Sequence, residues 1–480
     1  MTVIEERGVF WWHDDPIPDD CFAPESSVPG LLKIGEDGNT TLDLDGYLPS
    51  DRTAWSVLME TAECKGKMIF GLLGVTNRRV ILLELIPQGG RFSSNGPSYS
   101  SYHASHCLVA EGQLHEQGDD FSFYALEIDL SGLEEWLRLG SSEVSVVGST
   151  ITVKHKENST IEYDVGKDKM AIKFSISGKG LRDGRKDHVE IKDRASIIFY
   201  PEKPTGLAEL QSKFLWLDDL FTVLTDSSYN LTRPRLWHRG SCETRYSWFF
   251  LRSLSKESAP EHYKMPTNFP DLSDAFGSII AAWLEKREEF GAGFYLYLGT
   301  RRGMQIYSEH LFASLVWGIE ALHRKKRPAA PEEIKIKQKI ERVLKSVERR
   351  DKRWLSGQLK RAHEPPLEKR IFDVLATFPV EGVNKDAVRA FAKKCAELRN
   401  DISHYGSHRH GGSYDVFLQE LRTHSEALSK LYHVLMLHEI GIDSKTINDW
   451  LLRGFKSYRT RSVFVEVGLL EDSTLKAAAP

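Results

Sequence analysis

The first 200 residues alternate between short apolar runs and small polar clusters. Runs rich in Val, Ile, Phe and Tyr recur, among them KMIFGLL, RVILLELI, FSFYALEI and ASIIFY, with Gly, Asn, Asp and Ser between them. Such runs are typical of β-strands, and the polar clusters are typical of turns. No helix-period segment of useful length interrupts the series. The pattern predicts an all-β, sandwich-like domain over residues 1–200.

From residue 271 onward, apolar residues recur three and four positions apart. Six segments carry this period: 271–290, 305–326, 331–350, 367–378, 384–406 and 415–441. This spacing is typical of amphipathic helices that bury one face. We therefore predict a C-terminal all-α helical bundle over residues 269–480 and a multidomain α+β protein. Residues 201–268, which include the aromatic and arginine-rich run LTRPRLWHRGSCETRYSWFF, are assigned to a linking segment.

Charge is distributed unevenly along the 480 residues. The net charge of −4 argues against a protein that binds nucleic acid through bulk charge alone. Residues 1–60 hold 13 acidic and 3 basic side chains, whereas residues 321–361 hold 15 Lys and Arg and 5 Asp and Glu. The basic segment has two interpretations: attraction of an RNA backbone, or the solvated face of an ordinary helix.

The cysteines and the apolar runs indicate a cellular compartment. Five dispersed cysteines without paired spacing fit a reducing environment better than a disulfide framework. The acidic start MTVIEERGVF is unlike a signal peptide, and the chain has no run of 18 apolar residues. We predict a cytoplasmic protein without membrane association.

The segment ELRNDISHYG at residues 397–406 contains the leading candidate site. It ends a predicted helix that begins at Asn384 and stops at Gly406. The apolar residues of that helix are spaced alternately three and four apart, at Val388, Phe391, Cys395, Leu398 and Ile402.

Three polar residues meet near the end of this helix. Asn400 and His404 are four residues apart and so share a face, with Arg399 at its border. The trio has two interpretations. It is either a catalytic site or an ordinary helix terminus, where a histidine is favourable to the helix dipole.

Other candidate sites have weaker support. Arg233 and His238 have the same spacing as the leading pair, but Pro234 and the run RLWHR favour a strand or loop rather than a helix. A metal site at His404, His408 and His410 lacks a carboxylate or thiolate at ligand spacing. We predict neither a metal nor a cofactor.

Beyond these patterns, the chain resembles a known family. LRNDISHYG resembles the signature of HEPN domains, an arginine followed by a polar residue and a later histidine on a late helix of an α-bundle. SEHLFASLVWGIEALHRKK, which contains Glu320 and His323, resembles an early helix of the ApeA-like branch of that family. The segments FWWHDD, TLDLDGYL and GLLGVTNRRVILLEL resemble the β-rich domain that precedes HEPN in that branch.

The resemblance implies specific roles for residues. Arg399 and His404 match the signature pair, Asn400 matches its polar position, and Glu320 becomes a possible supporting residue. In HEPN toxins silenced by a partner nucleotidyltransferase, a tyrosine stands two residues after the histidine. Here that position is Gly406 and the tyrosine is Tyr405, which puts this form of control in doubt.

The resemblance also implies an activity. HEPN proteins with this signature are metal-independent ribonucleases, and many are toxins or anti-phage effectors. We expect an endoribonuclease that acts in abortive infection, cleaves by attack of the 2′-hydroxyl, and leaves 2′,3′-cyclic phosphate and 5′-hydroxyl ends. Its β domain would restrain it or respond to a phage-derived trigger, and the bundle would form a homodimer or a higher even oligomer. The alternative is a non-catalytic HEPN protein that binds nucleotide, RNA or another partner.

Overall fold

The computed structural model describes residues 2–48, 68–91, 96–111, 121–138, 142–155, 160–179, 190–239, 243–302, 307–326, 331–360, 362–404, 407, 413–455 and 457–471. The chain divides into two compact units. Unit 1 comprises Met1–Glu134, Leu139–Asp218 and Asn230–Ser255; unit 2 comprises Glu135–Arg138, Asp219–Tyr229 and Lys256–Pro480. The predicted order of a strand-rich half and a helical half is confirmed. No helix in the described ranges is both long and apolar enough to cross a membrane.

Unit 1 is built from antiparallel strands. Its described strands are β1 (Thr2–Trp12), β2 (Val28–Gly35), β3 (Thr40–Leu44), β4 (Ile69–Leu73), β5 (Arg79–Arg91), β6 (Tyr99–Ala110), β7 (Ala125–Asp129), β8 (Ser142–Val147), β9 (Thr150–His155), β10 (Ile161–Val165), β11 (Asp168–Lys179), β12 (Glu190–Tyr200), β13 (Arg235–Arg239) and β14 (Glu243–Phe250). Twelve of them form one sheet in the order β10-β11-β12-β7-β13-β14-β6-β3-β2-β1-β4-β5, and β8 and β9 form a separate ribbon.

Part of this sheet closes on itself. Strand β5 also pairs with β6, from Val80 opposite Val109 to Arg91 opposite Tyr99. Strands β6, β3, β2, β1, β4 and β5 therefore form a ring, and closure leaves no free edge within it. The predicted sandwich-like domain thus takes the form of a six-stranded barrel that continues at β6 into an open sheet.

Alternation of side chains fills the barrel. Strands β2 and β3 direct Leu32, Ile34, Leu42 and Leu44 inward, where each is at most 1% exposed. Every second residue of a strand faces the same side, so the alternation of apolar and polar residues along these strands gives the barrel an apolar interior. The tight turn between β2 and β3 needs Gly38, whose φ of 84° lies in the left-handed region that favours glycine.

The open part of the sheet includes strands from the predicted linking segment. β13 pairs with both β14 and β7, and β14 pairs with β6. These two strands come from residues 201–268, which the sequence pattern did not assign to the sheet. The domain limits 1–200, 201–268 and 269–480 stay a prediction.

The described helices follow. They are α1 (Glu134–Leu137), α2 (Leu207–Thr225), α3 (Phe269–Leu272), α4 (Phe276–Phe290), α5 (Ala292–Arg301), α6 (Ser308–Lys326), α7 (Pro331–Ser346), α8 (Arg349–Leu359), α9 (Leu367–Leu375), α10 (Lys385–His404), α11 (Tyr414–Glu439), α12 (Ser444–Arg453) and α13 (Ser457–Glu466). Short 3-10 turns lie at His262–Lys264 and Ser273–Ala275. The six predicted helical segments correspond to α4, α6, α7, α9, α10 and α11, whereas α5, α8, α12 and α13 were not predicted.

Helix α10 forms for the reasons that its sequence indicates. The Asn384 side chain accepts a hydrogen bond from the Ala387 backbone N–H at 2.7 Å and so caps the helix. The apolar stripe packs inward: Val388, Phe391, Cys395 and Leu398 are buried, and Ile402 is half-buried. The predicted stop at Gly406 lies outside the described residues.

Helix α6 crosses its neighbours at glycines. A Cβ on Gly318 would lie 2.6 Å from the Tyr432 hydroxyl oxygen, and one on Gly293 would lie 2.5 Å from the Leu322 Cγ. Tyr432 is fully buried, and its hydroxyl donates to the Gly293 carbonyl. These glycines allow α5, α6 and α11 to approach closely.

A buried charge cluster ties the segment Asp219–Tyr229 into unit 2. The Asp226 carboxylate contacts Arg301 and lies 2.8 Å from the Lys430 Nζ, and the His433 Nδ1 is 3.7 Å away. Burial would raise the pKa of Asp226, but Arg301, His433 and Lys430 hold it well below its usual range. Burial lowers the pKa of His433 to about 3, although Asp226 acts in the opposite direction. The folded bundle therefore keeps this histidine neutral.

Candidate active site

The last turn of α10 carries the three predicted residues. The Arg399 Nη1 donates a hydrogen bond to the Asn400 Oδ1 at 3.3 Å. Arg399 and Asn400 are half-buried, whereas His404 is exposed and is the final residue of the helix. Asn400 and His404 lie four positions apart and therefore project from the same face. The structure thus joins the arginine to the amide and places the imidazole one turn further on.

The arginine has an unsatisfied donor. Its Nε is buried, yet it has no hydrogen-bond partner in the described part of the chain. Buried polar groups almost always have partners, so an orphaned guanidinium donor needs an explanation. The Nε atoms of Arg287, Arg301 and Arg461 are enclosed in the same way, and an enclosed Nε is out of reach of a ligand, so a phosphate would meet the outer Nη groups of Arg399.

A fourth residue of this turn was not singled out from the sequence. Asp401 is only 5% exposed. It stands three residues after Leu398, and that spacing places it on the buried side of the helix. The helical period could therefore have identified it. A buried carboxylate is retained only where partners compensate for its lost hydration.

Glu320 is engaged by arginines. Its Oε1 lies 2.8 Å from the buried Arg370 and 3.0 Å from Arg324, and both arginines also reach Glu364. Arg370 thus has two carboxylates around a guanidinium that is almost entirely buried. This network joins the second half of α6 to α9 and the segment before it. A supporting role of Glu320 in catalysis stays a prediction.

The direction of α10 fixes its neighbours. Two contacts join it to α11: the Lys394 Nζ lies 2.6 Å from Glu420, and the Phe391 ring stacks on His424 at 5.7 Å. Moving along α10 therefore means moving backward along α11, and the two helices are antiparallel. His404 lies toward the end of the bundle where α11 begins.

That end also holds the start of α6. The Tyr414 hydroxyl, at the start of α11, donates to Glu309 in the first turn of α6. Two helix N-termini, which carry partial positive charge, thus accompany the C-terminus of α10. Several apolar side chains there are exposed, including Tyr307 at 80%, Tyr414 at 49% and Val416 at 63%. The end of the bundle therefore combines donors suited to an anion with uncovered apolar surface.

The second arginine–histidine pair serves the sheet of unit 1. His238 lies on β13, and its Nδ1 is 2.8 Å from the Ser122 carbonyl oxygen. The Arg233 guanidinium lies over the Phe249 ring at 4.1 Å and donates to the Glu36 carbonyl. The prediction of a strand or loop rather than a helix at this pair is confirmed: His238 lies in β13 and Arg233 precedes that strand, and their contacts are those of local packing.

No group of three or more His, Cys, Asp or Glu side chains in the described ranges could hold a metal ion. His408 and His410 lie outside the described residues, so the alternative that includes them is untested.

Comparison with known proteins defines the class to which this architecture belongs. The family model described as Apea-like HEPN matches residues 313–446, from within α6 to the start of α12, which include Arg399 and His404. The C-terminal half is therefore a HEPN-type domain.

The N-terminal half completes the identification. The model described as ApeA N-terminal domain 1 matches residues 5–283, more than half of the chain. The chain belongs to the ApeA family of HEPN proteins, as its resemblance predicted. No curated protein and no solved structure matches it.

Proposed function

We propose that the protein is a metal-independent HEPN endoribonuclease whose catalytic residues are Arg399, Asn400 and His404. The carrying observation is that the last turn of α10 holds Arg399, which donates to Asn400, close to the exposed His404. The outer nitrogens of a guanidinium suit a phosphodiester, and an exposed imidazole can reach its reacting oxygens. Membership of a HEPN family, whose domains are associated with ribonucleases, supports the same reaction class.

The proposed reaction needs a base, an acid and a cation. A base removes the proton from the ribose 2′-hydroxyl, and the 2′-oxygen forms a bond to phosphorus. The bond from phosphorus to the 5′-oxygen breaks, and an acid donates a proton to that leaving oxygen. Arg399 binds the charged phosphorane. Asn400 orients Arg399 through its Oδ1 and binds a phosphate oxygen. The products are a 2′,3′-cyclic phosphate and a 5′-hydroxyl end.

Base and acid are two roles, whereas each chain supplies one His404. A histidine with an ordinary pKa of about 6.5 can fill either role near neutral pH. A two-fold homodimer, or a higher even oligomer, would bring two imidazoles to one phosphate. The exposed Tyr307, Tyr414 and Val416 at this end of the bundle provide apolar surface for such an interface.

The β-rich unit is proposed to regulate the nuclease. An ApeA N-terminal domain accompanies the HEPN domain in this chain, and its barrel contains none of the proposed catalytic residues. We assign it the response to a phage-derived trigger in the cytoplasm, with RNA cleavage leading to abortive infection. Sequencing of 5′-hydroxyl RNA ends after expression with and without phage challenge tests this assignment. Ends that appear equally in both conditions would exclude a phage trigger.

A second candidate is a HEPN protein that binds RNA or nucleotide without cutting it. The same arginine favours it, because the Nη groups of Arg399 can bind a phosphate with no chemistry. Incubation of purified full-length protein with a defined RNA separates the two. Cleavage with cyclic phosphate and 5′-hydroxyl ends, unaffected by EDTA, supports the nuclease. Saturable binding with intact RNA supports the second candidate, and complete inhibition by EDTA contradicts the proposed mechanism.

A further inference from the structure

Helices α7 and α8 form a helical hairpin that lacks a core of its own. The turn at Val347 and Glu348 joins them, and no residue from 334 to 360 is buried. Half-buried aliphatic side chains on both helices form the seam: Ile340, Leu344, Val347, Leu355 and Leu359. A cleft of about 440 Å³ runs along this seam.

Such a hairpin has little to stabilise it alone. Helices of 16 and 11 residues are close to or below the length at which isolated helices are marginal in water. Most helical stability in proteins comes from burying an apolar face, and this hairpin buries none fully. A ligand that covers its surface would therefore add to its stability.

The charge of the hairpin indicates the chemistry of that ligand. Residues 331–360 carry ten Lys and Arg and five Asp and Glu. Of these cations Arg350 has acidic neighbours, Glu348 at 3.1 Å and Asp351 at 3.6 Å. The other nine have no ion-pair partner among the described residues: Lys335, Lys337, Lys339, Arg342, Lys345, Arg349, Lys352, Arg353 and Lys360. So many unpaired cations in so short a segment fit a polyanion.

An exposed aromatic side chain stands among these cations. Trp354 is 66% exposed on α8, next to Arg353 and one turn after Arg350. Proteins that hold single-stranded nucleic acid combine cations along the backbone with aromatic rings on which bases stack. In a duplex the bases are already stacked on one another, so an exposed indole favours a single strand.

Two other partners fit less well. A second copy of the hairpin would bring the same excess of positive charge, and like charges across an interface are unfavourable. A membrane surface needs one continuous apolar face. Ile334 and Ile336, at 48% and 40% exposed, are two residues apart, a rotation of about 200° around α7. They therefore lie on nearly opposite sides of the helix and do not form one apolar face.

We infer that the α7–α8 hairpin binds single-stranded RNA, with its unpaired Lys and Arg on phosphates and Trp354 stacked on a base. This rests on the proposed function only in taking RNA as the substrate. The ion-pair network of Glu320, Arg324, Glu364 and Arg370 holds the base of the hairpin between α6 and α9. The hairpin thereby becomes an arm attached to the catalytic bundle.

The distance to the site sets the length of RNA involved. Arg370, which belongs to the network at the base of the hairpin, lies on α9 two residues before Phe372. The Phe372 ring contacts Arg389 of α10, and His404 is fifteen residues, or roughly 22 Å along the helix axis, beyond Arg389. A strand that contacts both the arm and the site must therefore span several nucleotides. Very short substrates should lose the contribution of the arm.

The test measures binding of full-length His404→Ala protein to a fluorescein-labelled single-stranded RNA of roughly 16 nucleotides, by anisotropy over a range of salt. One variant adds Lys335→Gln, Lys339→Gln and Lys345→Gln. A matched control adds Lys256→Gln, Lys385→Gln and Lys393→Gln, which are exposed lysines of unit 2 outside the hairpin. Trp354→Ala and the conservative Trp354→Phe complete the set, each checked for helicity and thermal melt.

The hairpin variant should lower the slope of log affinity against log salt by about 2, since each single-strand phosphate contact contributes about 0.7. Trp354→Ala should weaken binding roughly 5- to 100-fold, with Trp354→Phe close to the parent. The control triple should retain the larger part of both affinity and slope. Unchanged affinity in both the hairpin and Trp354→Ala variants would overturn the inference.

The remaining outcomes also decide. Loss of binding to phosphatidylserine vesicles, with RNA affinity intact, would identify a membrane arm and overturn the inference. Loss of oligomerisation with RNA affinity intact would identify a self-association surface and do the same. Wild-type protein that binds RNA through the hairpin but leaves it uncut would refute the proposed nuclease while supporting the arm. Cleavage with unaltered RNA affinity in the hairpin variants would do the reverse.

Discussion

His404→Ala removes the proposed proton-transfer group from an exposed position at the end of α10. One general acid or base is typically worth a factor of 10² to 10⁴ in rate. In a homodimer the substitution removes both His404 imidazoles, so we expect the cleavage rate to fall by a factor at or above the upper end of that range. Surface substitutions of this kind usually change stability by less than about 0.5 kcal/mol. The fold should therefore be retained while cleavage is lost.

Arg399 is expected to behave differently, because it is half-buried and its Nε is enclosed. Arg399→Ala removes a cation aimed at developing charge, an effect of roughly 10² to 10³ in rate. It also removes a packed aliphatic stem, at a cost of about 1 kcal/mol and a few degrees in the melt. Arg399→Lys keeps the charge and most of the stem but loses the two-donor fork. It should melt near wild type and still cleave poorly.

The assay is single-turnover cleavage of a defined RNA, with a thermal melt recorded for every variant. Ser403→Ala is the matched control, because Ser403 is exposed beside His404 and its hydroxyl donates to the Arg399 carbonyl at 2.9 Å. It should cleave at close to the wild-type rate. His238→Ala, in the sheet of unit 1, should also leave the chemistry intact in whatever protein folds.

Three results would refute this assignment of the catalytic residues. Undiminished cleavage by His404→Ala would mean that another group moves the proton. Loss of cleavage by well-folded His238→Ala, with His404→Ala active, would mean that the wrong pair was chosen. A loss of activity that merely follows the melting temperature across all variants would reduce the site to a structural role.

Three further predictions concern the bundle. In urea denaturation, Gly318→Ala should destabilise unit 2 by roughly 1–3 kcal/mol, because the new Cβ would meet Tyr432. Its control, Gly299→Ala on α5, should be neutral or stabilising, because a Cβ there would have no atom within 4 Å. His433 should make unit 2 less stable as pH falls from about 6.5 toward 3, because the unfolded state binds the proton that the folded state excludes. The non-titrating His433→Gln should flatten that dependence of the urea midpoint, and an equally steep slope would contradict the assignment. Glu320→Gln should lower the melt by weakening its buried guanidinium partner, yet cleavage per folded molecule should remain; a selective loss of rate would instead support a catalytic role.

The sequence alone determined the local structure around the candidate site. The spacing of apolar residues defined α10 and its buried face, and Asn384 marked its start, as the hydrogen bond from Ala387 confirms. These features follow from the helical period and from capping, both of which act over a few neighbouring residues. The resemblance of the LRNDISHYG segment and of the β-rich half identified the family that both family models confirm.

The spacing of apolar residues did not predict every helix. Helix α5 has the sequence AGFYLYLGTR, whose aromatic residues and glycines do not follow a helical period. Helix α8, RRDKRWLSGQL, buries no residue, so it offered almost no apolar spacing to detect. The conformation of α5 depends on the neighbours against which it packs, and propensity is routinely overridden by such contacts.

Only the tertiary structure decided how distant segments pair. Closure of the barrel depends on hydrogen bonds between β5 and β6, and the open sheet depends on β13 joining β7 across more than a hundred residues. The partners of Glu320 and the orphaned Nε of Arg399 likewise result from which helices meet. Residue spacing specifies which face of an element is apolar. It does not specify the partner of that face, because many partners satisfy the same pattern and only the packed whole selects one.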